Sequence, residues 1–232
     1  MTERTPLPVK PAAAIFDWDG VVVDSSGLHT LSWERLARLK GRSLPEDLLP
    51  RIGSLGMKTE AVVSDLLGWA KEPEAVRAVT REKEAVFRSL AAELGLAPQP
   101  GLRRILASLR EHGIPCAIGS SAPRLNIEDR LDHMGLRPFF PVVVCGDDAP
   151  RGKPAPDIFL LAAARLGVPP AQCVVFEDAP AGVAAARAAG MRVIAVLTTH
   201  RPDALREADR LVNGFDALAG TAPQTWLNPA KG

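Results

Sequence analysis

The sequence predicts an α/β fold, a doubly wound, mostly parallel, Rossmann-like sheet with an inserted helical cap domain. Three observations lead to this prediction. Several short segments are continuously apolar, as is typical of parallel strands covered on both faces. Amphipathic helical segments alternate with the later strands. About 100 residues separate the first two strands, far more than one crossover helix needs.

Five segments are predicted as strands. Each consists mainly of β-branched and other apolar residues, without alternation of polar positions. The chain has 232 residues, of which 47% are hydrophobic, and this is enough for a full core. In chain order the predicted strands are 12–16, 116–119, 142–145, 173–176 and 192–197.

Proline and glycine mark the ends of the helices in the later part of the chain. Proline has no amide hydrogen to lose in a first helical turn, and glycine accepts the left-handed backbone that often follows the last turn. The pairs that bracket the three predicted helices are Pro100 and Gly113, Pro156 and Gly167, and Pro180 and Gly190.

The long segment after the first strand is predicted to be helical. We interpret residues 25–98 as a cap domain, and residues 1–24 and 99–232 as the catalytic α/β core. The alternative is a set of elaborated surface helices packed on the core. The apolar stripes behind this prediction are Leu28, Leu31, Leu36 and Leu39; Val63, Leu66, Leu67 and Ala70; and Val76, Val79, Val86, Phe87, Leu90 and Leu94.

Composition argues against several classes of function. With 28 basic and 27 acidic residues the net charge is +1, so neither nucleic acid nor a membrane surface is expected as a partner. Cys116, Cys145 and Cys173 fall in predicted buried strands and are interpreted as reduced thiols. Residues 1–11 lack the apolar region of a signal peptide. We therefore expect a cytoplasmic protein, and the sequence leaves its oligomeric state open.

Two carboxylates follow the first strand. Asp17 comes directly after Phe16, and Asp19 lies two residues further on, so both are expected at the carboxyl edge of the sheet, where ligands bind. One carboxylate can attack phosphorus while the other protonates the leaving oxygen and later deprotonates water. Backbone amides in the turn from Trp18 to Gly20 are candidate phosphate donors.

Two other interpretations apply to this segment. An Asp-Gly pair often forms a simple hairpin turn, and that alternative stays open. A calcium loop of the EF-hand type needs glycine at its sixth position and glutamate at its twelfth. Counted from Asp17, those positions hold Val22 and Leu28, so this interpretation fails.

A hydroxyl and an ammonium group are predicted to complete a phosphate site. Ser120 ends the second strand, and Ser121 lies just before a predicted helix start, which suits an anion. A simple capping role is the alternative for Ser121. Lys153 offers a cation between Asp17 and a phosphate dianion, which otherwise repel each other. An ordinary solvated lysine is its alternative, and a P-loop is excluded because proline follows the lysine.

Glu177 and Asp178 follow the fourth strand and predict a metal site. Acidic residues before a helix often only favour its dipole. Across the sheet edge from Asp17, however, they supply the hard oxygen ligands that Mg²⁺ prefers.

Three residues of the predicted cap are candidate contacts to substrate or phosphate. Lys83 falls on the apolar stripe of its helix, where a lysine that only extends its ammonium to the surface is the alternative. His29 lies one turn before Trp33 and is a candidate for packing or for substrate contact. Lys58 follows Gly56-Met57 and is a weaker candidate for a phosphate or substrate contact.

Taken together and in this order, the motifs resemble those of the haloacid dehalogenase superfamily. The run Asp-Trp-Asp-Gly-Val-Val-Val-Asp-Ser at 17–25 is similar to its first motif. Ser120, Lys153 and the Glu177-Asp178 pair are similar to the second, third and fourth motifs. The helical insertion resembles the helical cap of the β-phosphoglucomutase-like and phosphatase branch.

The resemblance implies roles for these residues. Asp17 would form the phosphoenzyme and Asp19 would act as acid and base. Mg²⁺ would be bound by Asp17, the Asp19 backbone carbonyl, Asp178 and Glu177. The resemblance also implies a cap that reads the substrate.

Two functions of this branch remain open, together with one of another class. We expect a Mg²⁺-dependent phosphatase for a small phosphorylated metabolite such as a sugar phosphate. His29 stands where the mutase has a histidine, so a phosphosugar mutase is the alternative. The arginine expected near Gly56–Thr59 in a mutase is absent, with Lys58 the nearest cation, and this favours the phosphatase. A phosphoacceptor signalling module is the third possibility, but it needs neither Asp19 nor a cap.

Overall fold

Six parallel strands form one sheet in the order β3-β2-β1-β4-β5-β6. The structure, a computed structural model, describes residues 10–49 and 51–227, so the prediction about a signal peptide falls largely outside the described residues. The α/β class and the parallel sheet are confirmed. The strands are β1 Ala13–Phe16, β2 Cys116–Gly119, β3 Val142–Val144, β4 Cys173–Glu177, β5 Arg192–Val196 and β6 Arg210–Val212.

β6 was not predicted, because this edge strand has no continuous apolar run. It has three residues, its middle residue Leu211 is 36% exposed, and only Val212 is buried. The other five strands were predicted; β1, β2 and β4 are buried at every residue, and β5 is buried except for Arg192.

Helices cover both faces of the sheet and also form the segment between β1 and β2. The helix starts agree with the proline signals to within two residues. The helices are α1 Ser26–Leu39, α2 Thr59–Ala61, which continues as a π-helical turn over Val62–Leu66, α3 Pro73–Leu94, α4 Leu102–Glu111, α5 Arg124–His133, α6 Asp157–Leu166 and α7 Pro180–Ala188. Short 3₁₀ segments are Ile52–Ser54, Arg137–Phe139, Pro170–Gln172, Pro202–Leu205, Phe215–Leu218 and Pro223–Thr225.

Alternate residues of β1 serve two different cores. Ala14 and Phe16 pack with α4 and α5, and Ala13 and Ile15 pack with α6 and α7, because successive side chains of a strand point to opposite faces. Phe16 stacks on Phe176 of β4 at 4.5 Å between ring centroids. The sheet is therefore buried on both sides.

The segment between β1 and β2 has hydrophobic clusters of its own. Trp33, Ile52, Val63 and Trp69 belong to one cluster, and Phe87 of α3 belongs to a second. These separate clusters support the proposed division at 25–98, which stays a prediction. Four leucines of the predicted stripes are instead exposed at the surface, namely Leu31, Leu39, Leu66 and Leu94.

The two ends of this segment lie side by side. The Asp24 amide donates to the Ala97 carbonyl at 3.2 Å, and Val23 forms an antiparallel bridge with Pro98. The Gln99 amide donates to the Val22 carbonyl at 2.9 Å. The helical segment therefore leaves and rejoins the core at one place, beside the end of β1.

Two further predictions concern the chain as a whole. All three cysteines are buried and free, as the sequence indicates. Among the described residues, no helix has both the length and the apolar character needed to cross a membrane.

Candidate active site

The carboxyl edge of the sheet brings together the side chains predicted for the phosphate and metal chemistry. Asp17 follows β1, Ser120 follows β2, and Glu177 is the last residue of β4. β1 lies between β2 and β4, so these residues converge on the middle of the sheet. Asp178 follows directly, and the Asp17 amide donates to the Phe176 carbonyl at 3.0 Å, which fixes the start of the Asp17 loop.

Lys153 is the electrostatic centre of this cluster. Its Nζ lies 2.6 Å from Oδ1 of Asp17 and 2.6 Å from Oε1 of Glu177. The ammonium also lies 4.8 Å from the centre of the Phe159 ring, and the residue is 4% exposed. Burial would lower the pKa of Lys153, but the two carboxylates outweigh burial and raise it. Lys153 therefore stays charged beside Asp17.

The cluster holds more negative than positive charge. Burial, together with the charges of Glu177 and Asp19, raises the pKa of Asp17 to about 7, although Lys153 opposes the shift. Burial and the neighbouring Glu177 raise the pKa of Asp178 well above its usual value. Carboxylates in these positions would be stabilised by a further cation.

The acidic cluster fits a divalent metal ion. Ligand oxygens of Asp17, Glu177 and Asp178 all lie within 4.8 Å of one another, and all three residues are buried. Carboxylate oxygens of this kind suit Mg²⁺. Both carboxylate oxygens of Glu177 already accept hydrogen bonds within the protein. Oε1 accepts from Lys153, and Oε2 accepts from the amides of Asp178 and Ala179 at 2.8 and 3.0 Å.

Gly20 allows the first loop to approach the metal cluster. Its φ is +78°, and a Cβ at this position would lie 2.0 Å from Oδ2 of Asp178, so no larger residue fits. The Gly20 amide donates to the Val23 carbonyl at 2.8 Å, so it is committed within the loop. The Trp18 indole is fully buried in the core, and a role in phosphate binding is left to the Trp18 backbone.

Asp19 is held by two side chains that begin the helical segment. Its Oδ1 accepts from the Ser25 hydroxyl at 2.6 Å and lies 3.0 Å from Nε2 of His29. Burial would raise the pKa of Asp19, but the His29 ring and the Ser25 hydroxyl outweigh it and hold the pKa below its usual value. With 27% of its side chain exposed, Asp19 can still reach a ligand.

Lys83 fixes the state of the His29 ring. Nζ of Lys83 lies 2.8 Å from Nδ1 of His29, and an ammonium group can only donate. Nδ1 is therefore the acceptor, and Nε2 carries the proton that is donated to Asp19. The His29 ring stacks on Phe87 at 4.0 Å.

A polar network continues from Lys83 to the core. Lys83 also lies 3.0 Å from Oε1 of Glu84. The same carboxylate accepts from Thr59 and Asn126, each at 2.6 Å. Asn126 belongs to α5 of the core, so this network joins the helical segment to the sheet domain.

The two serines and Lys58 have different surroundings. The Ser120 hydroxyl is buried and accepts from the Ala122 amide at 3.1 Å. Ser121 donates to the Gly56 carbonyl at 3.1 Å. The Nζ of Lys58 donates to the Ala149 carbonyl at 2.7 Å.

A cavity lies between the sheet edge and the helical segment. Its floor contains Asp17, Asp19, Ser120 and Asp178, and residues from the helical segment form the facing wall. Three of the residues predicted to contact substrate or phosphate line this cavity, namely His29, Lys83 and Ser121. Lys58 is not among the described residues that line it, and substrate contact by any of the four stays a prediction. The facing wall includes Trp33, Ile52, Leu55, Met57, Val62, Thr59 and Glu84.

Sequence reasoning missed Thr199 and His200. The Thr199 hydroxyl donates to Oδ2 of Asp178, and Nδ1 of His200 lies 3.1 Å from the Asp178 carbonyl. Both follow β5, which pairs with β4. The sequence signal was weak, because Thr199 and His200 lie three and four residues after β5 and belong to no motif that distinguishes them from other polar residues at this edge.

Comparisons with known proteins agree with this arrangement. Residues 11–190 match the family model of the haloacid dehalogenase-like hydrolases. A phosphorylated carbohydrates phosphatase from Thermotoga maritima is 35% identical over 94% of this chain and 98% of its own length. The chloroplastic 5-amino-6-(5-phospho-D-ribitylamino)uracil phosphatase of Arabidopsis thaliana is 34% identical over 89% of this chain, which spans about half (55%) of that relative.

A solved structure is similar over most of the chain. The crystal structure of β-phosphoglucomutase from Clostridium difficile superposes with a TM-score of 0.79 at 25% sequence identity, covering 90% of this chain and 93% of the other. The similarity therefore extends over both the sheet and the helical segment.

Proposed function

The chain belongs to the haloacid dehalogenase-like hydrolase family, and on this premise we propose that it hydrolyses a small phosphomonoester, such as a sugar phosphate, through an aspartyl-phosphate on Asp17. One observation carries the proposal. The Lys153 ammonium lies 2.6 Å from a carboxylate oxygen of Asp17 and 2.6 Å from one of Glu177, and Asp17 lines the same cavity as Asp19. The names of the relatives support the same class of substrate.

In the first half-reaction, Asp17 attacks phosphorus in line with the leaving oxygen. The Lys153 ammonium reduces the repulsion between the Asp17 carboxylate and the incoming phosphate. The Ser120 hydroxyl lies at the same edge and donates to a phosphate oxygen. Asp19 gives a proton to the leaving alkoxide; its lowered pKa disfavours the protonated form in the substrate-free site, and the negative charge of a bound phosphate favours it.

In the second half-reaction, Asp19 acts as a base. It takes a proton from the water that attacks the aspartyl-phosphate, and the products are phosphate and free Asp17. The His29 ring and the Ser25 hydroxyl hold the Asp19 carboxylate in the ionised form that this step needs. His29 therefore acts through Asp19 as a positioning residue.

The acidic residues would hold a Mg²⁺ ion. Asp17, the Asp19 backbone carbonyl and Asp178 would be its ligands, with Glu177 as the remaining member of the set. When bound, the ion supplies positive charge that offsets the charge gathered between Asp17 and the phosphate. The excess of buried carboxylates over ammonium groups in this cluster supports this assignment.

Residues 25–98 would act as the cap that covers the substrate. Their contacts with the core through Ser121, Lys58 and Asn126 support a closed arrangement over the sheet edge. Such closure excludes bulk water until the phosphoenzyme has formed.

A phosphosugar mutase is the second candidate, favoured by the similarity to β-phosphoglucomutase and by His29. In that reaction a sugar phosphate, instead of water, receives the phosphoryl group. Supplying β-glucose 1-phosphate and measuring glucose 6-phosphate against free phosphate separates the two. A signalling phosphoacceptor without turnover is disfavoured, because it needs neither an acid for a leaving group, the role given to Asp19, nor a segment that covers a substrate.

The main test is an assay of the purified chain with Mg²⁺ on a panel of phosphomonoesters. We expect phosphate release by the wild type and none by Asp17→Asn, because an amide is a poor nucleophile. Asp203→Asn, at an exposed position far along the chain, is the matched control and should keep full activity. Substantial hydrolysis by Asp17→Asn would contradict the mechanism.

A cytoplasmic location also belongs to this proposal. It is supported by the three buried, free thiols. Cell fractionation with an antibody to the chain tests it directly.

A further inference from the structure

We propose that this site selects phosphomonoesters whose alcohol part carries no charge, and that Glu84 rejects leaving groups with a second phosphate or a carboxylate. This inference rests on the proposed phosphatase function and specifies its substrate class. It concerns the cavity wall that faces the nucleophile.

The facing wall is mainly apolar. Ile52, Leu55, Met57 and Val62 line it together with Trp33. Trp33, Ile52 and Val62 are at most 3% exposed and belong to one hydrophobic cluster, against which Leu55 and Met57 pack. A leaving group bound here buries apolar surface favourably, whereas a charged group loses hydration without gaining a partner from these side chains.

Glu84 adds a fixed negative charge to the wall. It lines the cavity and is 4% exposed. Burial alone would raise the pKa of Glu84, but Lys83 and the Thr59 hydroxyl outweigh burial and hold that pKa below its usual value. The carboxylate is therefore ionised near neutral pH and repels an anion placed beside it.

Hydrogen bonds keep Glu84 in place. Thr59 and Lys83 both donate to Oε1, at 2.6 and 3.0 Å, and Asn126 donates to Oε2 at 2.6 Å. These donors come from three different elements, so the carboxylate cannot swing away when a substrate enters. The negative charge of Glu84 is therefore held at a fixed place in the cavity wall.

Lys83 lines the same cavity, but its ammonium group already has partners within the protein. Its Nζ contacts Nδ1 of His29 and Oε1 of Glu84, and it lies 5.5 Å and 5.2 Å from the ring centres of Trp33 and Phe87. The residue is 2% exposed. Two of its three N–H groups are taken by His29 and Glu84, and the ammonium lies against two aromatic rings, so a second phosphate would have to compete with these contacts.

The reacting phosphate and a second anion would therefore meet opposite surroundings. At the sheet edge, Lys153 and the ion bound by the acidic cluster offset the reacting phosphate. At the facing wall, Lys83 is already paired with Glu84 and His29, and the Glu84 carboxylate is negative. Most of the other large lining side chains, such as Ile52 and Val62, are apolar. The wall thus distinguishes substrates by the charge of the leaving group.

A matched pair of substrates tests the inference on the wild type. Phenyl phosphate and 4-carboxyphenyl phosphate share the reacting centre and the ring, and they differ in one carboxylate. We expect kcat/KM to be at least about 10-fold higher for phenyl phosphate, the lower end of the discrimination that a binding pocket achieves. Fructose 1-phosphate and fructose 1,6-bisphosphate provide the corresponding pair of sugars.

Glu84→Gln tests the residue. It removes the charge and keeps an oxygen acceptor, so we expect the preference for phenyl phosphate to fall several-fold, mainly through a higher kcat/KM for 4-carboxyphenyl phosphate. Glu82→Gln, whose side chain is 49% exposed on the same helix, is the control and should leave the preference unchanged. A thermal melt of each variant checks folding.

The outcomes separate the two proposals. Equal kcat/KM for the charged and uncharged members of each pair in the wild type would overturn the inference and leave the phosphatase function standing. An unchanged preference in a folded Glu84→Gln variant would overturn the role of Glu84. Failure to hydrolyse any of the four compounds in a manner dependent on Asp17 would count against the proposed function itself.

Discussion

Individual atoms at the sheet edge decide which charges the site can hold. Lys153 gives one ammonium group to two carboxylates, and Asp178 is held from its other side by the Thr199 hydroxyl. Asp17, Ser120 and Asp178 could be singled out from the sequence because each directly follows a buried strand. Asp19 and Lys153 lie further along and stood out by their charge and by their place in the order of the motifs.

Thr199 and Glu84 show where residue-level prediction stops. Glu84 lies on α3, and its place in the cavity wall depends on how α3 packs against α1 and α5, which a single sequence does not encode as a local pattern. Thr199 follows a strand, but a threonine after a strand is too common to stand out. Lys58 is the opposite case, a residue that was proposed from the sequence as a substrate contact. Its side chain instead donates to the Ala149 carbonyl and does not line the cavity.

Thr199 is expected to orient Asp178 for the metal ion. Thr199→Val removes the hydroxyl without changing the side-chain shape, so we expect Mg²⁺ affinity to fall by about 10- to 100-fold, as for other residues that orient metal ligands. Calorimetric titration of Mg²⁺ into the substrate-free protein measures it.

Two further variants complete this test. Thr199→Ser, which retains the hydroxyl, should restore most of the affinity. Thr225→Val, at an exposed threonine, is the control. Unaltered Mg²⁺ binding by Thr199→Val would show that Asp178 needs no such support.

At the scale of elements, the loop before α2 fastens the helical segment to the core. The Gly56 carbonyl accepts from Ser121, and Lys58 donates to Ala149 in the loop that leads to Lys153. The Lys58 side chain also packs on Gly152, where a Cβ would lie 2.9 Å from Cγ of Lys58. Loop 56–58 therefore contacts both the serine loop and the lysine loop.

Lys58→Met keeps this packing and removes the ammonium group. We expect the free energy of unfolding to fall by about 1 kcal/mol, the usual net contribution of one hydrogen bond. We also expect KM to rise, because the helical segment is held less firmly over the cavity. Urea denaturation and steady-state kinetics measure the two effects.

Lys71→Met, at an exposed position of the same segment, serves as the control for Lys58→Met. If the two variants behave alike in both measurements, loop 56–58 does not depend on the bond to Ala149.

At the scale of the whole molecule, two sets of hydrophobic clusters are joined by a polar contact. The sheet has a core on each face, the helical segment has its own clusters, and Glu84 accepts from Asn126 between them. The fold class was predictable because buried parallel strands are continuously apolar. The strand order and the short edge strand β6 were not, since both depend on contacts distant in sequence.

The ionisation of Glu84 is expected to appear in the pH dependence of stability. The folded-state pKa of Glu84 lies below the usual 4.5, so its charged form stabilises the fold above pH 4.5, and that contribution is lost as the pH falls through the folded-state pKa. We therefore expect the difference in unfolding free energy between the wild type and Glu84→Gln to shrink as the pH is lowered below 4.5.

Urea denaturation at a series of pH values measures this difference. Glu82→Gln, at the exposed position, should show a much smaller dependence on pH. A constant difference between the wild type and Glu84→Gln from neutral to acid pH would mean that the buried carboxylate does not titrate as inferred.

The neighbouring ends of residues 25–98 have an evolutionary consequence. Because the Asp24 amide meets the Ala97 carbonyl and Val23 bridges Pro98, a length of polypeptide can be removed or replaced there without moving β1. An in-frame exchange at these two points would replace the facing wall of the cavity together with Ser25 and His29, while Asp17, Lys153 and Asp178 would stay at the edge of the sheet. Such an architecture lets one chemistry diversify across many metabolites.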